Sequence, residues 1–449
     1  MSDKIKEIRD NPFKAMLILS IPIIILLIFN ETYSMIDTYF ISTLGKTVIV
    51  AFGYIAQFYY FLNRTGKGIG RGVSSMITRL IGAEKYENIN NIALHGCIII
   101  IILTLLLQLI FLLSSDIILK LIVPESSILP THIYLQCLFT FLIFVLSSEY
   151  FVELLNSEGE TRLSTRIMIL GVFLNISFDY IFIVLIKLGI LGASLGTVVS
   201  YIITTIIFLY IYIIRKSHII KFKKSAFKFD VSIIVEILKN AIPIILDSLM
   251  STIAGILVLT ALKQFAPPST LIAFVLILRV QMLLFTPISG LSRACNIIVG
   301  YLFGAKRYKD VLKQMHNSIL VSFLINILIS VILILFLKII IGLFTKDPIV
   351  LRETQKIFYV ILIDLITFSV IHNGNQGLIA IGYSSHSFYS VIVRIVSLLV
   401  LTGILAYLCK FGEIGVFSSL LLSDIIQGTY SYFRFKHFVL KEEKKSNTT

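Results

Sequence analysis

Leu174–Ile183 reads LNISFDYIFI, an apolar run carrying an asparagine and, four residues later, an aspartate. After a short break it continues into LGILGASLGTVVS, Leu188–Ser200. Apolar runs of about 18 residues or more, the signature of membrane-spanning helices, recur from end to end. Composition agrees: 57% of the 449 residues are hydrophobic and 14% are charged, where soluble domains carry about 25% charged residues. An all-α integral membrane protein is expected. A charged side chain at the bilayer centre costs about 2.5–3.5 kcal/mol on insertion scales, so Asp179 needs a reason to be where it is.

The runs predict twelve spans, near 14–41, 47–81, 91–114, 131–156, 163–187, 190–214, 233–263, 269–303, 314–343, 351–381, 386–409 and 414–437. Met1–Lys14 is polar and mixed in charge, and the run after it is too long for a signal peptide, so the first span is expected to be retained. Lys and Arg concentrate in alternate connections, most densely at Arg215, Lys216, Lys221, Lys223, Lys224 and Lys228. The positive-inside rule then places both termini in the cytoplasm, with 215–232 as a cytoplasmic linker between an N-terminal lobe, 1–214, and a C-terminal lobe, 233–449. The formal charge of +14 sits mostly in these short connections. The lipid bilayer, not nucleic acid, is therefore the expected partner. Cys97, Cys137, Cys295 and Cys409 show no C-x-x-C spacing, so neither a metal site nor a disulfide framework is expected.

The two halves repeat. RLIGAEKYENI (Arg79–Ile89) matches YLFGAKRYKDV (Tyr301–Val311), a shift of about 222. Pro22 pairs with Pro243, and Leu188–Ser200 falls on FGEIGVFSSLLLS, Phe411–Ser423. Six spans per half give both copies the same orientation. Repeats of this kind bring a transporter's substrate site to the interface of the halves.

On these motifs the chain resembles the multidrug and toxic-compound extrusion family, part of a larger group that includes lipid-linked oligosaccharide flippases. SMIDTYFISTLG (Ser34–Gly45) resembles the end of the family's first helix, and GIGRGVSSMITRLIGAEKYE (Gly68–Glu87) its glycine-rich second. LNISFDYIFI with LGILGASLGTVVSY resembles its fifth and sixth helices, and FGEIGVFSSLLLSD (Phe411–Asp424) its last. The resemblance implies a V-shaped pair of six-helix lobes that alternates access at the plasma membrane. It also implies export of small amphipathic compounds, often cationic, driven by inward Na+ or H+ flow, by a protein that works as a monomer without a cofactor.

Asn175 lies one helical turn before Asp179, on the same face. Depth along the spans brings Asp37, Ala193 and Thr197 to the same level. Two carboxylates, an amide oxygen, a hydroxyl and a backbone carbonyl are hard ligands suited to Na+. Paired carboxylates can hold a proton instead. The resemblance carries the cation role onto Asp37, Asn175, Asp179 and Thr197, and onto Ala193 through its carbonyl. Their repeat partners lie near Val258, Leu398, Thr402 and Leu420 and include no carboxylate.

Pro22 removes a helix hydrogen bond in mid-span and is the candidate hinge. Arg64, Lys67 and Arg71 form a stripe on the second span. It reads either as a substrate contact, favouring an anionic substrate, or as partners of Glu149 and Glu153 on the fourth. The glycines Gly66, Gly68, Gly70 and Gly72 hold two G-x-x-x-G spacings that favour helix packing. Tyr33, Tyr54, Phe58, Phe61, Phe274, Phe285 and Asp247 complete the cavity candidates, and Asp364 with Arg279 is a candidate ion pair. Two alternatives stand beside export: flipping of a lipid-linked anionic substrate, and an intramembrane transferase. The latter needs closely spaced carboxylates of the D-D-x-x-D type. Glu149, Glu153, Glu158 and Glu160 do not form that pattern, so no enzyme is expected.

Overall fold

The computed structural model describes residues 8–214, 219–222, 227–342 and 348–448, with no strand among them. The side chains of Tyr33 and Arg279 lie outside this description. The helices are α1 Pro12–Ser42, α2 Lys46–Gly82, α3 Ile89–Ile122, α4 Glu125–Thr140, α5 Leu142–Ser157, α6 Thr161–Asp179, α7 Ile190–Ile213, α8 Val231–Phe265, α9 Pro268–Gly304, α10 Tyr308–Gly342, α11 Pro348–Ala380, α12 Ser384–Thr402 and α13 Gly412–Thr448. With α4 and α5 counted as one bent rod, these are the twelve expected spans. Among the described residues, six rods pass a strict test of length and apolarity, and two bent pairs raise the number to eight. Among the others, α2 is diluted by Arg64, Lys67, Arg71 and its glycines.

The fourth span is not the single helix that its apolar sequence suggests. It turns by 61° between α4 and α5. A turn inside a membrane frees backbone carbonyls that water cannot satisfy. Gln108 of α3 answers this, its Nε2 donating to the carbonyls of Phe139 at 2.8 Å and Thr140 at 3.2 Å. Gln108→Leu is expected to lower stability by about 1–3 kcal/mol through the orphaned carbonyls. A detergent melting curve reads this, and an unchanged midpoint would contradict it.

The backbone carries the repeat more clearly than the side chains do. Left-handed residues recur in register: Glu84 and Lys306, Gly159 and Gly382, Lys187 and Lys410, Gly189 and Gly412. Helix α6 passes into a π-helical turn, Tyr180–Leu185, and α12 into its counterpart, Gly403–Leu408. Such turns widen the helix, and here each is met by a glycine. A Cβ on Gly192 would lie 2.8 Å from the Phe182 carbonyl oxygen, and one on Gly415 would lie 2.7 Å from the Ala406 nitrogen.

Two compact units follow, Ile25–Ile242 and Met1–Ile24 with Pro243–Thr449. Their boundaries differ from the sequence halves 1–214 and 233–449. The start of α1 packs within the second unit: Gln314 Nε2 reaches Met16 Sδ at 3.0 Å, and Gly290 faces Ile24. The start of α8 packs within the first, where Gly72 faces Ile237 and Ala241, and Arg79 pairs with Glu236 at 3.7 Å. The exchanges fall beside Pro22 and Pro243.

Where described, the linker is tied to the first unit by side chains that accept from its backbone. Glu158 takes the Ile220 N–H (2.8 Å), Asn90 that of Lys221 (2.7 Å), Asn91 that of Lys228 (3.0 Å) and His95 Nε2 that of Asp230 (3.0 Å). Asp230 then caps α8, its Oδ1 accepting from the Ser232 N–H at 2.8 Å. Hydrogen bonds from Ser232 hold this carboxyl below the usual carboxylate range.

Candidate functional site

Asp179 ends α6 immediately before the π-helical turn, which fixes its side chain in the interior of the first unit. It is 0% exposed. Neither carboxylate oxygen has a hydrogen-bond partner among the described residues. One turn earlier, the Asn175 amide donates to Thr197 Oγ1 at 3.3 Å, while its own oxygen is buried without a partner among the described residues. Thr197 Oγ1 donates to the Ala193 carbonyl at 3.1 Å. Asp37 of α1 is 6% exposed and lies within electrostatic reach of Asp179. The α1, α6 and α7 residues singled out in the sequence therefore gather in one place.

Two members had no clear signal in the sequence. Tyr134 of α4 places its hydroxyl 3.2 Å from Thr197 Oγ1 and lies within electrostatic reach of both aspartates. Nothing distinguished it from the other tyrosines. Gly196, the neighbour of Thr197, leaves the space that Asp179 fills: a Cβ there would sit 2.2 Å from Asp179 Oδ1.

The oxygen donors fit a small hard cation. Among the described residues, three buried oxygens, two on Asp179 and one on Asn175, point to no protein donor. Such groups are costly to bury unless something else satisfies them. Among the described residues, no group of three or more His, Cys, Asp or Glu side chains is placed to hold a metal. The second unit fills the equivalent region with Val258, Leu398 and Leu420, which belong to one apolar core with Leu262, Phe274, Ile277 and Phe417. At Val258, Leu398 and Leu420 the second half is apolar where the first carries Asp37, Asn175 and Thr197.

The stripe on α2 resolves into pairs. Lys67 Nζ lies 3.4 Å from Glu149, and Arg71 Nε lies 3.6 Å from Glu153. Both glutamates are buried. Arg64 instead lies over the Tyr60 ring, 4.8 Å from its centroid. Lys67→Met is expected to lower stability by about 3 kcal/mol, because Glu149 would remain as a buried unpaired charge. Adding Glu149→Gln should restore most of the loss in a melting experiment. Equal midpoints for wild type and Lys67→Met would remove the pair from the account. The glycines behave as packing elements, with Gly66 against Leu146 and Glu149, and Gly70 against Tyr150 and Glu153.

The remaining candidates belong to both units. Phe58, Phe61 and Tyr54 are half-buried on α2. Phe274 lies in the apolar core, and Phe285 stacks on Phe368 at 3.6 Å between centroids. Asp364 accepts from Gln281 at 3.0 Å and from Thr367 at 3.0 Å. The ion pair seen nearby is Arg394 with Asp424, Nη2 to Oδ2 at 3.2 Å. Asp247, half-buried, lies within electrostatic reach of Arg394.

Comparison with known proteins agrees with this architecture. The multidrug export protein MepA of Staphylococcus saprophyticus is 28% identical over 327 residues, 71% of each chain. Crystal structures of a MATE protein in bent and straight conformations superpose with TM-scores of 0.93 and 0.92 at 22% identity. They cover 100% and 99% of this chain and 100% of theirs. The MatE family profile matches twice, over residues 22–181 and 243–405, each match beginning on one of the two exchange prolines. The chain is a multi-pass membrane protein of the MatE family, the multidrug and toxic-compound extrusion transporters.

Proposed function

We propose that the chain exports small amphipathic compounds, cationic ones among them, and draws on inward flow of Na+ or H+. The observation that carries this reading is the Asp179 carboxylate: fully buried, with both oxygens lacking a protein donor among the described residues, within electrostatic reach of Asp37 and one turn from the Asn175 oxygen that lacks one likewise. Asp37, Asp179, Asn175, Thr197 and the Ala193 carbonyl hold the cation. Occupation satisfies the buried oxygens, and release leaves them costly. The occupied and empty states therefore differ in energy, as a coupling site requires.

Pro22 is the hinge of this proposal. It lies inside α1, two residues from the unit boundary and fifteen before Asp37, so a bend there would move Asp37 relative to Asp179. In this proposal both termini are cytoplasmic, which the Lys and Arg distribution supports, and the protein acts as a monomer in the plasma membrane. The relative MepA is named for multidrug export, which supports a broad substrate range. An anionic substrate loses support from the Lys67–Glu149 and Arg71–Glu153 pairs, which neutralise most of the stripe.

The test needs no substrate. Purified protein is melted in NaCl and in KCl at pH 6 and pH 8. A cation that binds only the folded protein raises the midpoint, by about 2.7 kcal/mol of stability at one hundred times Kd. A rise specific to Na+, or one that follows protonation, supports the site and selects the ion. Identical curves in all four conditions would overturn the reading.

A further inference from the structure

His95 lies in the second turn of α3 and is fully buried. The candidate cation site makes no use of it. Both of its ring nitrogens meet main-chain groups. Nδ1 lies 2.8 Å from the Asn91 carbonyl oxygen, and Nε2 lies 3.0 Å from the Asp230 backbone nitrogen. A carbonyl can only accept, so Nδ1 carries a proton. A backbone N–H can only donate, so Nε2 carries none. Together the two contacts admit one form of the ring, the neutral Nδ1–H tautomer. Imidazole is also the side chain that ordinarily changes charge between pH 5 and pH 8.

The linker itself clasps the ring. The Phe227 centroid lies 5.1 Å from that of His95, and the Phe229 ring stacks on it at 5.9 Å and 27°. Aromatic faces hold an imidazole whether or not it is charged. They fix its place and leave its protonation to the hydrogen bonds. Between the two phenylalanines, the Lys228 N–H is taken by Asn91 Oδ1 at 3.0 Å. Residues 227–230 are thus fastened to two side chains one turn apart on α3, one that titrates and one that does not. The charged groups on the surrounding elements are Lys221, Lys228 and Asp230 of the linker, Glu158 at the end of α5, and Arg79 of α2 paired with Glu236 of α8. Asp230 lies within electrostatic reach of the ring, but its Oδ1 is engaged by the Ser232 N–H at the start of α8.

We propose that His95 is a pH-operated latch for the linker: neutral, it fastens residues 227–230 to α3, and protonated from the cytoplasmic side, it lets them go. A proton added at Nε2 sets one N–H against another. The acceptor is lost and two like dipoles face each other, so either the proton or the linker must leave. Docking and protonation therefore compete. By linkage the docked linker is favoured at high pH and loosened as pH falls. The release is local, because α8 keeps its own contacts with α2, where Gly72 faces Ile237 and Ala241. The connection between the two halves is then fastened at neutral pH and slack in an acidified cytoplasm. This inference does not depend on which ion drives export.

The test is amide hydrogen exchange of the full-length protein in detergent at pH 7.5 and pH 5.5, corrected for the intrinsic exchange rate at each pH. The Lys221 amide, held by Asn90 Oδ1 at 2.7 Å, is the internal control. In wild type, protection of 227–230 is expected to fall about ten-fold at pH 5.5, the size of one hydrogen bond, with Lys221 unchanged. His95→Gln supplies an acceptor that does not titrate, and its protection is expected to be equal at both pH values. Asp230→Asn keeps the backbone N–H and is expected to respond to pH as wild type does. Ring 15N NMR, with the His95 signal identified by its absence from His95→Gln, should show the Nδ1–H tautomer at pH 7.5 and the doubly protonated ring at pH 5.5. Wild-type protection that ignores pH would overturn the latch. So would an undiminished pH response in His95→Gln, or a response abolished by Asp230→Asn, which would assign it to the carboxylate. A ring still neutral at pH 5.5 while 227–230 loosens would overturn it as well, whatever protection His95→Gln itself retains.

Discussion

Asp179→Asn is expected to abolish ion-driven export, a loss of at least about one hundred-fold, while the purified protein stays folded. The argument is electrostatic. The carboxylate is buried with no protein donor on either oxygen among the described residues, and uncompensated buried charge costs several kcal/mol. The amide has nearly the same shape and no charge. Without cation, the variant should therefore melt at the same temperature as wild type or higher. With cation, it should show no rise. A side chain that merely fixed helix packing would behave in the opposite way, lowering the midpoint and leaving the cation response in proportion. Asp37→Asn should also lose the cation response. A variant at either position that transports at the wild-type rate would remove the aspartates from the mechanism.

Gly196→Ala should come close to the same loss without removing any ligand. The added methyl would lie 2.2 Å from Asp179 Oδ1 and 3.2 Å from the Asp179 backbone nitrogen. The side chain must move, and it borders the π-helical turn whose backbone already meets Gly192 closely. Overpacking of this kind costs about 1–3 kcal/mol. The informative readout is the cation-dependent rise in melting midpoint, which should vanish in Gly196→Ala. Gly192→Ala meets the Phe182 carbonyl instead. It should lower stability and keep a proportionate cation response. If both variants respond to cation alike, the space beside Gly196 does not set the geometry of Asp179.

The sequence carried the parts of this structure that depend on local pattern. Apolar runs mark rods, the repeat marks two similar halves, and the four-residue spacing of Asn175 and Asp179 marks a shared face. What it carried poorly depends on which surfaces meet. Nothing in the apolar stretch around Phe141 signals a 61° turn, because the partner that makes it tolerable, Gln108, lies on another helix. Tyr134 and Gly196 join the site through packing alone. The exchange of helix starts at Pro22 and Pro243 also depends on tertiary contacts, although the prolines themselves were visible. The stripe was half readable: the periods of Lys67 and Arg71 match those of Glu149 and Glu153, and only the structure closes the pairs.

The most direct measurement of coupling places wild type and Asp179→Asn in liposomes. Ethidium movement is followed after an imposed Na+ gradient, an imposed pH gradient, or neither. The account predicts uphill movement in wild type with one of the two gradients and none without, and no uphill movement in Asp179→Asn under any condition. Uphill movement by Asp179→Asn, or by wild type with no ion gradient, would contradict it.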